Sequence, residues 1–307
     1  MYDLIIIGAG PAGITAAVYA ARKRIKTLVL TKDVGGQPAL SWGIENYTGY
    51  QFITGPDLVK KFDEHLKSAN VESNAGVDVF KIDKEGDAFK VKTQDGEHLA
   101  RAVIIATGRK PRLLRAPGEE KFKNKGVTYC ATCDGPLFQE KDVAIIGGGN
   151  SALDATMQMI PIANKIYLID IGDHIIGDPV MLEKARKSLN VEILTNTEVR
   201  EIIGDKFVNG IRVLVGKEQE RIIPVEGVFI EIGSLPAREP GCNVKLNERN
   251  EIIVNERCET SIPGLFAAGD VTNVPEKQII VAAGQGCIAC LTAFKYPSKK
   301  QFKEVER

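Results

Sequence analysis

The chain has 307 residues, about twice the size of an ordinary domain, so its length predicts two domains. Its 40 basic and 40 acidic residues cancel to a formal net charge of zero, which argues against a nucleic-acid binder or a basic membrane anchor. No apolar run reaches the roughly 18 residues of a membrane span, and no basic leader precedes the first strand. We therefore expect no transmembrane segment, no signal peptide and a cytoplasmic location.

The first predicted elements are a strand, a glycine-rich turn and a helix. Residues 4–7 form a continuous apolar run typical of a buried parallel strand, and Gly8, Gly10 and Gly13 follow at once as G-x-G-x-x-G. A small-residue helix is predicted over 14–21. Residues without bulk let backbone N–H groups and the helix N-terminus approach a pyrophosphate. One such motif is weak evidence, because glycine turns also serve purely structural purposes.

A cysteine pair follows the strand predicted over 101–108. Cys130 and Cys133 form C-x-x-C, with Asp134 directly after them. Such a pair can close a small disulfide ring, and a thiol near positive charge or a helix start ionises more readily. A neighbouring carboxylic acid can deliver and remove the protons that reduction requires. A structural zinc half-site and an inert pair are the alternatives.

The strand, turn and helix pattern then recurs. Residues 143–146 are apolar, Gly147, Gly149 and Ala152 repeat the turn, and a helix is predicted over 151–159. Alanine is an accepted third member of the motif. Since each copy lies between a strand and a helix, we expect two bound dinucleotides, and the obvious pair is FAD with a nicotinamide nucleotide.

The next predicted strand, 165–169, bears on the choice of nicotinamide nucleotide. It ends at Asp170, where an acid can bind the ribose hydroxyls and repel a 2′-phosphate. No Arg or Lys occurs between Lys165 and Lys184. The sequence therefore predicts NADH, with NADPH the less favoured coenzyme.

The remaining pattern predicts an α/β fold with an inserted domain. A strand followed by a glycine turn with an acid returns at 264–270. We expect two Rossmann-like, three-layer ββα domains, with the NAD(P) domain inserted into a discontinuous FAD domain. The predicted boundaries are 1–112 and 242–307 for the FAD domain and 113–241 for the NAD(P) domain. Two chain crossings, near Pro111 and Gly241, would form a paired hinge.

The other cysteines and the histidines carry weaker signals. Cys287 and Cys290 are expected to be small core residues of a packed C-terminal helix that begins after Gln278, although a second redox pair is the alternative. Cys242 and Cys258 are expected to be buried thiols. No metal site is predicted, because none of the histidines lies in a zinc or hydrolase pattern: His65, His98 and His174.

The ordered motifs resemble those of the small thioredoxin reductases over essentially the whole chain. They are G-A-G-P-A-G (8–13), G-G-Q (35–37), A-T-G (106–108), C-A-T-C-D-G (130–135), G-G-G-N-S-A (147–152) and A-A-G-D (267–270). The tail, with C-E-T (258–260) and K-Q-I-I (277–280), resembles the flavoprotein component of alkyl hydroperoxide reductase. That relative carries an N-terminal thioredoxin-like portion that this sequence lacks, so we expect the electron acceptor to be a separate protein.

The resemblance implies a role for each member of the cysteine motif. Cys133 would face the flavin and receive electrons at its C4a carbon, Cys130 would attack the disulfide of a thioredoxin- or glutaredoxin-like protein, and Asp134 would move the protons. The larger glutathione-type plan is disfavoured, because residues 31–56 contain no cysteine and the last 50 residues no histidine. A disulfide buried against the flavin cannot also reach an external protein, so we expect rotation about the paired hinge. Relatives are homodimers through the flavin domain, so the resemblance implies a homodimer here as well.

Cofactor contacts follow from the resemblance at matching positions. The expected FAD contacts are Gly8, Gly10, Pro11, Ala12, Gly13, Gly36, Gln37, Asn46, Val79, Thr107, Gly108, Gly269, Asp270, Lys277, Gln278 and Ile279. The expected NAD(P) contacts are Gly147, Gly149, Asn150, Ser151, Ala152 and Asp170. Thr31 stands where an acid is expected to hold the flavin-nucleotide ribose, so we expect either looser binding of the adenosine or a contact from backbone near Val79. Two other functions stay open: the same fold reduced by ferredoxin or a deazaflavin, and a non-catalytic flavin-binding redox sensor.

Overall fold

Two units make up the chain, and the chain crosses between them twice. The structure, a computed structural model, describes residues 1–40, 44, 46–216, 218–237 and 243–305, without the side chains of Leu40, Cys133 and residues 297–305. The first unit comprises Met1–Ala39, Gly43–Lys110 and Pro236–Arg307, and the second comprises Pro111–Leu235. The second crossing lies at 235–236. Gly241, near which the sequence predicts this crossing, lies outside the described residues.

The elements run in the following order. Before the first crossing lie β1 (Tyr2–Ala9), α1 (Pro11–Arg22), β2 (Thr27–Val34), a 3-10 turn (Gln37–Leu40), α2 (Gly55–Ser68), β3 (Glu72–Ala75), β4 (Val79–Glu85), β5 (Ala88–Thr93), β6 (Gly96–Ile105) and β7 (Arg109–Pro111). Then follow β8 (Val127–Thr128), α3 (Ala131–Asp134), a 3-10 turn (Gly135–Phe138), β9 (Asp142–Ile146), α4 (Asn150–Met159), β10 (Lys165–Ile169), α5 (Pro179–Lys187), β11 (Val191–Leu194), β12 (Thr197–Gly204), β13 (Val208–Val215), β14 (Gln219–Ile223), β15 (Gly227–Ile230) and β16 (Ser234–Pro236). The chain ends with β17 (Leu265–Ala267) and α6 (Ile279–Val305).

A mixed sheet forms the centre of the first unit. Its strand order is β3-β2-β1-β6-β5-β4, and β17 also pairs with β6. Strands β3, β2, β1, β6 and β17 run parallel, whereas the β6–β5 and β5–β4 pairs are antiparallel. The apolar run of β1 is central because Ile6 pairs with both Val29 and Ile104. Apolar clusters cover both faces of the sheet, which explains why the run does not alternate.

The second unit repeats this plan with a smaller sheet. Its parallel strand order is β11-β10-β9-β15-β8, and a separate antiparallel sheet contains β12, β13 and β14. The chain proceeds from β9 to β10 on one side, and β15 lies on the other side of β9. In such sheets a ligand binds outside the carboxyl ends of the strands at this reversal of order. The expected α/β fold with two Rossmann-like units is confirmed.

The helix α6 packs along α1 in the first unit. Gly286 allows the contact, since a Cβ atom there would lie 2.0 Å from the Ala12 carbonyl oxygen. The stretch Ile279–Tyr296 has a mean hydropathy of 1.5, long and apolar enough by composition to cross a membrane. Isolated polar residues interrupt this stretch, so it contains no long continuous apolar run, although its mean hydropathy stays high. The apolar helix of a water-soluble protein passes the same test, so this stretch is weak evidence for a membrane span.

The two crossings run side by side. Strand β7 pairs with β16 in a two-stranded ribbon. Next to it, Ala237 donates its backbone N–H to the Gly108 carbonyl at 2.9 Å, and Arg112 donates to the Gly233 carbonyl at 2.9 Å. These bonds fix the register of the two connecting segments against each other.

Candidate functional site

The first glycine turn is built by close backbone approach. Gly8 has φ +103°, and a Cβ there would lie 2.4 Å from the Ala106 carbonyl oxygen. A Cβ at Gly13 would lie 1.9 Å from the Gly8 oxygen. Helix α1 then begins at Pro11, and its N-cap, Gly10, provides no side-chain cap. The first N–H groups of α1 are therefore available to an anion such as a pyrophosphate.

The second glycine turn has the same construction. Gly147 has φ +136°, and a Cβ there would lie 2.3 Å from the Glu231 carbonyl oxygen. Around Gly149, the N-cap of α4, a Cβ would meet no atom within 4 Å, and no side chain caps the helix. By contrast, Thr54 caps α2 and Asp178 caps α5 with their side chains. Both fingerprint helices thus keep open, uncapped N-termini that fit a dinucleotide.

The Asp170 carboxylate lies over the second turn. A Cβ on Gly148 would lie 2.7 Å from the Asp170 Oδ2 atom. Its Oδ1 atom accepts a hydrogen bond of 2.7 Å from the Gly172 backbone N–H. One oxygen is therefore held by the backbone beside the turn that would carry the coenzyme pyrophosphate, where an acid can reach a ribose.

The other residues expected at the NAD(P) site have different environments. Asn150 uses its Oδ1 atom to accept the Asp178 backbone N–H at 2.7 Å, which shapes the loop before α5. Ser151 is exposed, and Ala152 is fully buried in the core. Asn150 thus has a structural partner already, whereas Ala152 serves close packing of the helix.

Thr31 at the end of β2 has both of its hydrogen-bonding capacities used. Its Oγ1 atom accepts the Ala9 N–H at 3.1 Å and donates to the Asp33 carbonyl oxygen. The Val77 N–H donates to the Thr31 carbonyl at 2.9 Å, so the segment leading to Val79 reaches the end of β2. The Val79 side chain is buried in the core, which leaves only its backbone for the contact predicted there.

Several expected FAD contacts converge near the start of α1. A Cβ on Gly36 would lie 3.3 Å from the Gly10 Cα atom, and one on Gly269 would lie 3.1 Å from the Ala12 Cβ atom. The Gly269 N–H donates to the Gln285 Oε1 atom at 2.8 Å. Three segments that are distant in sequence therefore meet with only small residues between them, which leaves a cradle that a bulkier residue would fill.

A second group of expected FAD contacts lies around the start of α6. Asn46 donates from Nδ2 to the Oε1 atom of Gln278 at 3.2 Å, directly before Ile279 begins the helix. Gln37 donates from Nε2 to the Arg109 carbonyl oxygen at 3.2 Å. The α6 N-terminus contributes a partial positive charge at this place.

Hydrogen bonds also hold the turn after β6. The Thr107 hydroxyl donates to the Ala237 carbonyl oxygen, and the Ala237 N–H donates to the Gly108 carbonyl oxygen. Gly108 has φ +65° and open space where a Cβ would be.

A buried charge cluster accompanies these flavin-side residues. Glu251 is only 5% exposed and pairs with Arg109 at 3.1 Å and with Lys277 at 2.9 Å. Against the effect of burial, hydrogen bonds from these cations lower the pKa of Glu251. Burial raises the pKa of Asp270, while Lys277 and Arg109 oppose that change. The Lys277 ammonium group is thus engaged within the protein.

The cysteines differ in bonding state. Cys130 is disulfide-bonded, while Cys258, Cys287 and Cys290 are free thiols. The side chain of Cys133 and the whole of Cys242 lie outside the described residues.

Two of the free thiols in the first unit, Cys258 and Cys290, are buried packing residues. Burial raises the pKa of Cys258 to about 11 and that of Cys290 to about 12, which makes both poor nucleophiles. Cys287 is half-buried on the same helix. Among the residues that the structure describes, no group of three or more His, Cys, Asp or Glu side chains could hold a metal.

The residues around Cys130 hold the turn in one conformation. Thr128 accepts the Cys130 backbone N–H at 3.2 Å, and its hydroxyl donates to the Oδ2 atom of Asp134. The Asp134 N–H donates to the Cys130 carbonyl oxygen at 3.1 Å. Thr128 therefore orients the acid that adjoins the cysteine motif.

Sequence reasoning missed several of these partners. Thr128, Gln158, Glu231 and Gln285 lie in no motif, although each contacts a motif residue or its neighbour. Thr128 alone had a usable signal, since a hydroxyl two residues before Cys130 can cap the turn. The others come from distant segments, and nothing local marks them.

Two fingerprint turns on uncapped helices, with a disulfide-bonded cysteine between them in the sequence, are features of a family of dinucleotide-binding disulfide oxidoreductases. The chain belongs to the pyridine nucleotide-disulphide oxidoreductase family, whose model matches residues 2–286. It is 40% identical over 298 residues to the F component of alkyl hydroperoxide reductase from Staphylococcus aureus, a match that covers 96% of this chain and 59% of that protein. The chain thus spans less than two thirds of that relative.

Solved structures agree with this family. The thioredoxin reductase of Lactococcus lactis is 35% identical with a TM-score of 0.92, covering 97% of this chain and 100% of that one. The thioredoxin reductase of T. acidophilum is 37% identical with a TM-score of 0.90, covering 96% and 98%. The resemblance to small thioredoxin reductases is confirmed at the level of family and fold.

Proposed function

We propose that the protein is an FAD enzyme that takes electrons from NADH and reduces, through a Cys130–Cys133 disulfide, the disulfide of a thioredoxin- or glutaredoxin-like protein. The single observation that carries this proposal is the disulfide-bonded Cys130 with Asp134 held beside it, in the unit that contains the second fingerprint. When bound, FAD would supply two-electron transfer between the coenzyme and the disulfide.

The residues of the first unit would hold the flavin. The uncapped start of α1 would bind its pyrophosphate, because the N–H groups there have no side-chain partner. The segments that carry Gly10, Gly36 and Gly269 meet with only small residues between them, and the absence of bulky side chains leaves room for a flat ligand. Asp270 would accept a hydrogen bond from a hydroxyl of the ribityl chain. Inside this unit, the Glu251 cluster would hold the surrounding loops in place.

NADH is the coenzyme that the second unit favours. The α4 N-terminus would bind the coenzyme pyrophosphate, and Asp170, with one oxygen held by Gly172, would present the other to the ribose hydroxyls. A 2′-phosphate would meet the same carboxylate and be repelled. NADPH is therefore the weaker substrate in this proposal.

The sulfur chemistry follows from proton and electron balance. Reduction of the disulfide breaks the sulfur–sulfur bond and takes up two electrons and two protons, giving two thiols. Cys130, as thiolate, would then attack the disulfide of the partner, and Cys133 would resolve the mixed disulfide. Asp134 would take the proton from each attacking thiol and give it to the sulfur that leaves the partner, since Thr128 keeps the acid beside the turn.

A homodimer in the cytoplasm is the assembly we propose. The outward face of α6 leaves Ile280, Ile288 and Phe294 each more than 40% exposed, and such a row of apolar side chains supports burial against a second copy. Light scattering on the purified holoenzyme would measure its mass. An Ile288→Glu variant is expected to be monomeric, and an unchanged dimer would remove this face from the proposal.

Stopped-flow kinetics tests the proposed electron path. NADH should bleach the flavin absorbance of the wild type and of a Cys133→Ser variant, whereas only the wild type should reduce a thioredoxin disulfide. A variant that still reduces thioredoxin would refute the path. Failure of both nicotinamides to bleach would instead favour reduction by ferredoxin or a deazaflavin, and bleaching without turnover on any disulfide would favour a redox sensor.

A further inference from the structure

A partly buried chain of hydrogen bonds links the redox turn to the coenzyme-binding helix in the second unit. Thr132, between the two motif cysteines, donates from Oγ1 to the Oε1 atom of Gln158 at 2.9 Å. Gln158 in turn donates from Nε2 to the Oδ2 atom of Asp154 at 2.9 Å. Gln158 and Asp154 both lie on α4, whose N-terminus is the second fingerprint.

The chemistry of the groups fixes the direction of this chain. A carboxylate can only accept, so the amide nitrogen of Gln158 must face Asp154. The amide oxygen then faces Thr132, whose hydroxyl is its donor. Gln158 is 4% exposed, and a buried amide that lost either partner would carry the full cost of desolvation. Each link therefore holds the next in a single orientation.

A second acid, Glu231, lies near the far end of the chain. Glu231 follows β15 and lies against the fingerprint glycine, Gly147. Burial first, and the negative charge of Asp154 second, raise the pKa of Glu231 to about 8. At neutral pH the proton therefore resides on Glu231.

We propose that Thr132 and Gln158 are positioning residues, which hold the cysteine turn in its disulfide conformation by tying it to Asp154 on the coenzyme-binding helix. The proposal rests on the proposed function in that the turn carries the redox disulfide. In this account both side chains act by fixing the backbone of α3 against α4.

The matched pair Thr132→Val and Thr132→Ser isolates the hydroxyl from the shape of the side chain. Valine keeps the volume and removes the donor, whereas serine keeps the donor. A second route is Gln158→Met, which keeps the length of the side chain and removes both amide contacts. Thermal unfolding of each holoenzyme shows whether the variant is folded.

The readout is the equilibrium of the Cys130 disulfide with dithiothreitol. Dithiothreitol donates two electrons and two protons and closes its own ring disulfide, so the reaction balances without the coenzyme. The holoenzyme is equilibrated anaerobically with mixtures of reduced and oxidised dithiothreitol, and its thiols are alkylated and counted by mass spectrometry. This reading does not need NADH or a protein partner.

The tie is present in the disulfide form, so its loss should favour the dithiol. Thr132→Val and Gln158→Met are each expected to shift the equilibrium about fivefold toward the dithiol, which is about 20 mV at roughly 30 mV per tenfold for a two-electron couple. Thr132→Ser should stay within about twofold of the wild type. Two folded variants, Thr132→Val and Gln158→Met, that both match the wild type would overturn the proposal, as would a Thr132→Ser shift equal to that of Thr132→Val.

Failure of the proposed function would look different. If NADH did not bleach the wild-type flavin, or if no protein disulfide were reduced, the electron path would be wrong. The dithiothreitol equilibrium would still report whether the hydroxyl of Thr132 holds the turn.

Discussion

Replacing Gly286 with alanine tests how α6 is seated on the flavin-side turn. The new Cβ would lie 2.0 Å from the Ala12 carbonyl oxygen and 2.8 Å from its carbon. An ordinary carbon–oxygen contact is well over 3 Å, and the obstacle is backbone, so α6 must move away from α1. Overpacking of this kind costs about 1–3 kcal/mol, and a backbone obstacle puts it at the upper end.

The net effect can be worked out from two opposing contributions. Alanine gains up to about 1 kcal/mol over glycine inside a helix, so Gly286→Ala should lose about 2 kcal/mol overall. At about 2–4 °C per kcal/mol for a unit of this size, the melting temperature of the apo-protein should fall by about 4–8 °C. FAD should also be held more weakly, because the start of α6 lies beside the expected flavin contacts.

Gly284→Ala is the matched control on the same helix. A Cβ there would meet no atom within 4 Å, so only the gain in helix propensity remains, and the melting temperature should rise by about 2 °C. Differential scanning fluorimetry of the apo-proteins and fluorescence titration with FAD measure both effects. Equal melting temperatures for the two variants would refute the packing argument.

Three further predictions concern the second unit. Thr128→Val removes the hydroxyl bound to Asp134 and should slow reduction of the protein partner about tenfold, since a hydrogen bond to a charged group contributes about 1.5 kcal/mol or more; Thr128→Ser should retain the rate, and a fast valine variant would exclude the role. Glu231 keeps its proton up to about pH 8 when folded, against an ordinary 4.5, so stability should fall as pH rises between these values. Melting curves of Glu231→Gln should lack this slope, and an identical slope would place the titration elsewhere. Asp170→Ala should raise the KM for NADH about tenfold without raising that for NADPH, and a parallel rise in both would remove Asp170 from coenzyme choice.

The local parts of the fold were predictable because the residue pattern of a short stretch of sequence determines each of them. Apolar runs buried on both faces gave β1 and β9, and glycines forced by backbone contact marked the turns after them. The start of α6 at Ile279 agrees with the predicted helix after Gln278. These features depend on neighbours within a few residues.

The contacts that complete the site were not predictable, because their partners are distant in sequence. Arg109 and Glu251 are 142 residues apart, and Asn46 and Gln278 are 232 apart. A lone Arg or Glu carries no signal for such a pair. Only folding of both ends of the chain onto one sheet brings these residues together.

The C-terminal cysteines show the limit of periodicity. Cys290 is fully buried as expected for a small core residue, but Cys287 is only half-buried. Three residues along a helix place two side chains about 60° apart on the same side, so the spacing alone does not tell which of them is buried more deeply. Both are free thiols, and of the two Cys290 is the buried one.

The most direct test of the central claim is an anaerobic titration of the purified holoenzyme with NADH and, separately, with NADPH, followed by absorbance. The account predicts a yellow protein that NADH bleaches more readily than NADPH, and an electron capacity of two on the flavin and two on the disulfide, which falls to the flavin's two in Cys133→Ser. A protein that binds no FAD, or a Cys133→Ser variant with undiminished capacity, would contradict it.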